Sequence, residues 1–366
     1  MIKVTITNDI LNSIIEIELN RYKISLVELS QNVLNKLHKN SKKKSSYASN
    51  KIEGNPLSEK QAEEVIESDE RKHYLKPEQE VRNYFLALNY LEEKLNNKEK
   101  LSKKLILNVQ KLVEKGASKE KIGLRGPMPP GVLFAVYDSK TGNPDYIPPE
   151  YSDVPGLLDE LIEYVNTTDD HPLIVAAVVH YQLVTIHPFE DGNGRTARLL
   201  SGYIMDLNGY GFNGVGSLEE YFAYDADEYY DSIQMGLPAL YYSGRENPPH
   251  PEIWINYFLR MVKLYSRKVC DLQLSSEEED IAGSLSFLKE REKELLVLLI
   301  SSYRAEFTPI EVSKQLSVTN KTVINRLAVL VKNGFVIPIL VNKRIRSYKL
   351  SEFAINHERE IKEAVG

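Results

Sequence analysis

Residues 173–186, LIVAAVVHYQLVTI, are apolar almost all round. A helix built from them has no face to offer water, so it must run through the centre of the molecule with other elements packed around it. Its start is marked by Asp169 or Asp170 in the capping position and by Pro172 in the first turn. Its end passes directly into a polar loop, HPFEDGNG, after which a second helix is predicted from about Arg195 to Leu207. The rest of the chain has to wrap the first helix while leaving that loop in place.

The chain has 366 residues, more than one typical domain. Its 42% apolar and 27% charged content suits globular folding, and a net charge of −6 points to no nucleic-acid or membrane partner by itself. A single cysteine, Cys270, allows no intrachain disulfide and fits a reducing compartment. The N-terminal twenty residues lack a basic leader and an unbroken apolar core, and no run of about 18 apolar residues occurs. A cytoplasmic protein without membrane contact is expected.

Five segments follow from patterning. Residues 1–100 form an N-terminal helical region, with helix periodicity over 9–37 and 57–96; the intervening KKKSSYASNKIEGNPLS taken alone reads as a loop. A core spans 101–272, with helices predicted at 101–115, 156–166, 217–235 and 251–268. Within it, 123–149 is rich in Gly and Pro and carries two β-prone runs, 132–137 and 145–148, around a Gly142-Asn143 turn signal, so a small hairpin is predicted at about 131–148. SSEEED, 275–280, marks a linker at 273–285. Residues 286–352 form a further unit and 353–366 a tail.

The loop and the helix after it, 187–198, concentrate chemistry. Gly192-Asn193-Gly194 precedes a helix, and successive backbone N–H groups there form a concavity for an anion. Arg195 and Arg198 stand three apart on one helix face, where two guanidinium groups repel unless an anion lies between them; a polyphosphate is the natural candidate. Asp191 can supply a hard oxygen to Mg²⁺, which usually takes one or two carboxylates plus phosphate oxygens. His187 titrates near neutrality and can take a proton from an incoming hydroxyl. Phe189 is apolar in a polar loop and anchors it to the core. No Ser or Cys adjoins the histidine, which favours direct in-line transfer over a covalent intermediate.

The pattern H-x-F-x-[D/E]-G-N-G-R-x-x-R fixes eight positions, and this loop meets all of them. It resembles the signature of the Fic family, whose usual activity is transfer of AMP from ATP to a protein hydroxyl. The resemblance covers roughly 45–265. It implies His187 as general base, Asp191 as Mg²⁺ ligand and Phe189 as loop anchor. Gly192, Asn193 and Gly194 would cradle the phosphates of ATP, with Arg195 and Arg198 on the β- and γ-phosphates. It implies a mainly α fold: a Fic-type helical core with a small β-hairpin flap that docks the target by strand addition. The flap's leading segment GPMPPG, 126–131, departs from the more usual R-x-x-x-V stretch. EEYFAYDADEYYDSI resembles the family's adenine-side helix, so Tyr229 and Tyr230 are either nucleotide contacts or core residues. His180, on the apolar helix, is read as a core histidine.

SNKIEG, 49–54, is similar to the family's inhibitory motif, which sets Ser49 and Glu53 against the second motif arginine, Arg198, and keeps ATP out of its productive pose. The physics is coherent, since a carboxylate substitutes locally for the anion that two arginines require. In some relatives the same Glu helps to remove AMP. A homodimer is a further expectation carried from the family.

From Phe307 to Leu350 there are eight Lys or Arg against one acid, Glu311. The element order here, three helices and a hairpin, resembles a winged helix-turn-helix, with Thr319 as cap, a recognition helix at 320–332, Gly334 as stop and a wing at 342–349. Candidate DNA contacts are Lys321, Asn325, Arg326, Arg344 and Arg346, with Asn320 a further base-edge candidate. Such a module can equally serve protein contacts. The leading expectation is an auto-inhibited transferase moving AMP from Mg·ATP to a Ser, Thr or Tyr hydroxyl of a protein, itself included. Rivals are a nucleotide-sensing DNA-binding regulator and transfer of another nucleotide-derived group.

Overall fold

The computed structural model describes all residues except 1, 30, 70, 72, 118–121, 133, 138–141, 236–247, 249, 304, 342–343 and 366. Among the described residues there are sixteen α-helices and two small antiparallel pairs of strands. The chain divides into two compact units, one of residues 1–22 and 37–269, the other of residues 23–36 and 270–366.

In the first unit, α7 (Pro172–Ile186) is the axis, and all its residues from Leu173 to Leu183 are buried. It packs along α8 (Asn193–Leu207), while α6 (Val154–Thr167) covers another side. The pair α4 (Lys76–Asn96) and α5 (Lys103–Glu114) packs against α8. The Trp254 indole donates to the Ala177 carbonyl at 2.8 Å, fixing the start of α11 (Pro251–Ser286) to the middle of α7. The cap of α7 is His171, whose ring nitrogen accepts from Leu173 N–H, in place of the expected aspartates; Asp170 instead accepts from the Tyr164 hydroxyl. The expected helix at 217–235 is two, α9 (Glu219–Tyr224) and α10 (Ala226–Gln234), because Asp225 turns out of helical geometry and caps the second. Of the predicted hairpin, residues 133 and 138–141 lie outside the described residues; among the described ones β1 (Val136–Tyr137) pairs with β2 (Pro144–Tyr146), and Gly142 takes a left-handed φ of 70°.

The helix periodicity at 9–37 and 57–96 is met by α1 (Asn8–Ser25), the first part of α2 (Gln31–Ile52), α3 (Glu59–Glu67) and α4. Of the polar stretch KKKSSYASNKIEGNPLS, residues 42–52 are the second half of α2 and no loop, while 53–58 form the turn and connection to α3. The Ser41 and Ser46 hydroxyls and the Asn50 amide bond back to carbonyls one turn earlier, while Ser45, Ser46, Ala48, Ser49 and Asn50 are buried. Tertiary burial therefore overrides weak helix propensity. Nor is 1–100 a separate region, since residues 1–22 and 37–100 belong to the same unit as the core.

The predicted linker SSEEED lies inside α11, which runs unbroken through it. Glu and Ser carry no backbone veto on helix, and the apolar Leu272, Ile281 and Leu285 on either side continue the periodicity. In the second unit, α12 (Glu290–Ser302), α13 (Pro309–Leu316) and α14 (Asn320–Lys332) precede the hairpin β3 (Val336–Val341) and β4 (Arg344–Leu350). Thr319 caps α14 and Gly334, at φ 78°, ends it. Phe307 bridges to Tyr348, and the core joins Leu295, Leu299, Val312, Val323, Leu327 and Phe335. The tail folds as α15 (Glu352–Asn356) and α16 (Glu358–Val365). No described helix is long and apolar enough to cross a membrane.

Candidate active site

The loop between α7 and α8 is held by its own side chains. His187 ends α7 in left-handed geometry, φ 49° and ψ 59°. Phe189 is fully buried beneath the loop. The Asn193 amide closes the turn, accepting from Phe189 N–H and donating to the Phe189 carbonyl, both at 3.0 Å. Asn193 is thus a clasp, and its amide is spent on the loop; what remains for a ligand is backbone. Gly192, at φ 80°, caps α8, which begins at Asn193, two residues earlier than predicted. At this left-handed φ glycine is favoured, and a Cβ would lie 2.5 Å from Glu114 Oε1, so any other residue would have to displace that carboxylate.

Burial lowers the pKa of His187 to about 4, with Val184 and Arg125 exerting smaller and opposed effects. Its ring is therefore neutral at physiological pH. Nδ1 lies 3.2 Å from the Val184 carbonyl, which assigns the proton to Nδ1 and leaves Nε2 as the basic atom. Arg125 braces the same corner: its backbone N–H bonds Pro188 O at 2.9 Å, its Nε donates to His187 O at 2.8 Å, and its Nη2 donates to Pro149 O. The Arg125 guanidinium also lies over the ring of Phe134, itself 5.9 Å from the imidazole. The Tyr146 hydroxyl donates to Thr185 O at 2.7 Å, so the strand β2 is tied to the end of α7.

The two arginines share one helix face but meet different carboxylates. Arg198, with a side chain 1% exposed, donates to Glu53 Oε1 at 2.5 Å, to the Ser49 hydroxyl at 2.8 Å and to the Ser49 carbonyl at 3.0 Å. Glu53 lies in the turn after α2, its side chain 33% exposed. Desolvation opposes its ionisation, but Arg198 and then Arg195 outweigh it and hold the carboxyl below its usual range. Its Oε1 stands against Gly194, where any Cβ would collide with it. The tyrosines separate. Tyr229 is buried, its hydroxyl 3.3 Å from Arg198 and 2.8 Å from His180 Nε2; Tyr230 is exposed and donates to Ile52 O. His180 is fully buried among Phe222, Trp254 and Phe258, as read from the sequence.

Arg195 is surrounded by acids: Glu114 at 3.0 Å, Asp191 at 3.2 Å and Glu80 at 3.7 Å. Burial pushes the Glu114 carboxyl up to about 7 against the pull of Arg195. Glu80, Glu114 and Arg125 were missed in the sequence, which carries no local signal for partners brought from distant elements. Asp191, 45% exposed, accepts from Gly192 N–H and Arg195 through Oδ1. No cluster of three or more metal-binding side chains occurs among the described residues. A lone exposed carboxylate beside an anion turn fits Mg²⁺ that arrives with phosphate oxygens. In the other unit, Lys321 and Asn325 on α14 and Arg344 and Arg346 on β4 are exposed, and Arg326 is half-buried. The wing residues 342–343 lie outside the described residues.

Residues 100–205 match the Fic/DOC family. The chain is 30% identical to the protein adenylyltransferase Fic of Drosophila grimshawi over 171 residues, 45% of this chain and 33% of that protein. It is 42% identical to the protein of the same name from Nematostella vectensis over 69 residues, 18% of this chain and 16% of the relative. It therefore spans about a third of the first relative and less of the second. A Fic family protein from Desulfovibrio desulfuricans G20 shares the fold at a TM-score of 0.59 and 20% identity, over 96% of this chain and 98% of the other. A fragment of Fic-1 from C. elegans, residues 134–508, gives 0.53 at 24% identity, covering 73% of this chain and 74% of that one. The segment that matches the Fic/DOC family contains α5, α7, the loop and nearly all of α8, which carry most of the site.

Proposed function

We propose that the chain is an auto-inhibited protein adenylyltransferase. Its reaction moves AMP from Mg·ATP to a Ser, Thr or Tyr hydroxyl of a protein, its own included. The observation that carries the reading is the meeting of a neutral imidazole, an anion-binding turn and an exposed carboxylate on one loop, with Glu53 clamped on the arginine of the same site from 145 residues away. His187 Nε2 takes the proton of the attacking hydroxyl. The hydroxyl oxygen bonds the α-phosphorus as the bond to the bridging oxygen breaks, and pyrophosphate leaves. The backbone N–H groups of Gly192 to Gly194 and the Arg198 guanidinium hold phosphate oxygens. Asp191 would hold Mg²⁺, which supplies charge neutralisation on the phosphates. The names of the aligned relatives support the same activity.

Glu53 acts as the brake because it occupies the guanidinium that the nucleotide needs. Wild type, Glu53→Gly and Glu53→Gly/His187→Ala would be incubated with Mg²⁺, ATP and lysate and read by intact-protein mass spectrometry. A gain of AMP mass with Glu53→Gly, abolished with His187, is expected. No gain with any nucleotide would overturn transfer, and equal gain by wild type would overturn the brake.

The exposed Lys321, Asn325, Arg344 and Arg346 favour a second reading for the C-terminal unit, a winged helix-turn-helix on DNA. Operator binding that changes with ATP and survives His187→Ala would support a nucleotide-sensing regulator.

A further inference from the structure

Glu114 is the last residue of α5, and its side chain has no exposed surface. Its carboxylate lies directly under the Gly192 backbone, where it excludes a Cβ. It faces Arg195 Nη2 at 3.0 Å, and the same nitrogen reaches Asp191 Oδ1 at 3.2 Å. One turn earlier on α5, Gln110 Nε2 donates to the Asp191 carbonyl at 3.4 Å. The end of α5 therefore holds Asp191 twice, by its backbone through Gln110 and by its carboxylate through Glu114 and Arg195. Both groups of the buried pair are also short of partners. Among the described residues, Arg195 Nε and Nη1 and both Glu114 oxygens lack a well-oriented hydrogen bond, so the pair is held by charge: Glu114 by Arg195, and Arg195 by Glu114 together with Asp191 and Glu80.

We propose that Glu114 is a positioning residue for the anion loop: through Arg195 it aims the Asp191 carboxylate at the metal–nucleotide, although it touches neither. This rests on the proposed transferase reading. It also reassigns Arg195. Wrapped by Glu80, Glu114 and Asp191, its guanidinium is turned to the floor of the loop, and the phosphates are left to Arg198 and backbone N–H groups.

The test has one arm that needs no catalysis. In full-length Glu53→Gly protein without nucleotide, adding Glu114→Gln is expected to speed amide exchange across residues 190–194 about tenfold while α7 stays protected. Gln keeps the shape, and Arg195 still has Glu80 and Asp191, so the fold is retained; Glu114→Asp, which keeps the charge, gives a smaller effect and serves if Gln unfolds. Unchanged loop exchange in both variants overturns the proposal whether or not AMP is transferred. In the second arm, where Glu53→Gly transfers AMP, Glu114→Gln should raise the Mg²⁺ concentration for half-maximal rate about tenfold with kcat within about threefold. It should have no further effect on top of Arg195→Ala. A fall in kcat at an unchanged Mg²⁺ requirement, or additive losses with Arg195→Ala, overturns it.

Discussion

Replacing Glu53 by Ala separates the two consequences of its ion pair. A hydrogen bond between charged partners contributes about 1.5–3 kcal/mol net. Glu53 is one-third exposed and solvent screens it, so about 2 kcal/mol is a fair figure for its hold on Arg198. If a phosphate needs the same guanidinium, ATP must displace that carboxylate, and its removal should tighten ATP binding about 30-fold. Stability moves the other way. Arg198 keeps its bonds to Ser49 Oγ, Ser49 O and Tyr229, so it does not become an orphan charge. The loss should be about 1–2 kcal/mol, below the roughly 3–5 kcal/mol of a fully buried pair broken on one side. For a unit of this size that lowers Tm by about 2–8 °C, and saturating ATP should restore it. Titration calorimetry with Mg·ATP and thermal unfolding of both proteins read the two effects. A lowered Tm with ATP affinity unchanged would refute the reasoning: the pair would then be structural and no competitor of the nucleotide.

Four further outcomes follow from the loop itself. Asn193→Ala removes both bonds to the Phe189 backbone, in a buried setting, and should cost about 2–3 kcal/mol with loss of activity; a Tm within a degree of wild type would deny the clasp. Gly192→Ala forces a Cβ against Glu114 at φ 80°, and a destabilisation of about 2 kcal/mol or more is expected on chemical denaturation; a stable variant would mean that Glu114 yields easily. His187 has a folded pKa of about 4, below the unfolded value, so the unfolded chain binds more protons between about pH 4 and 6.5. Its contribution to stability is present above about 6.5 and is lost as pH falls through that window. Tm measured against pH should therefore fall less steeply there in His187→Gln than in wild type, and parallel curves would contradict the shift. Activity of Glu53→Gly should show no decline attributable to His187 around pH 6.5, because the base is already neutral.

The parts of the site legible from the sequence are those whose bonding is local. His187 to Arg198 is contiguous; the Asn193 clasp, the Gly192 cap and the Arg195–Asp191 contact all span four residues or fewer. α7 was legible because a helix apolar on every side has one possible location. Glu53 was reached only through resemblance, since three constrained positions in a polar stretch carry little by themselves. α2 shows why: its second half becomes helical through burial of serines and Asn50 against the core, which no periodicity announces. SSEEED misled in the opposite direction, since a charge run reads as linker until the apolar residues on either side are seen to continue one helix.

The chemistry of the loop, and the helix that delivers it, depend on neighbours in the chain and can be read from the residues alone. The surroundings of the two arginines are set by packing between distant elements. Arg198 receives Glu53 from α2's end and Arg195 receives Glu114 from α5, while Arg125 braces His187 from 62 residues away. Those partners are chosen by packing: a buried guanidinium must find a compensating carboxylate, and which one it finds depends on the elements brought beside it.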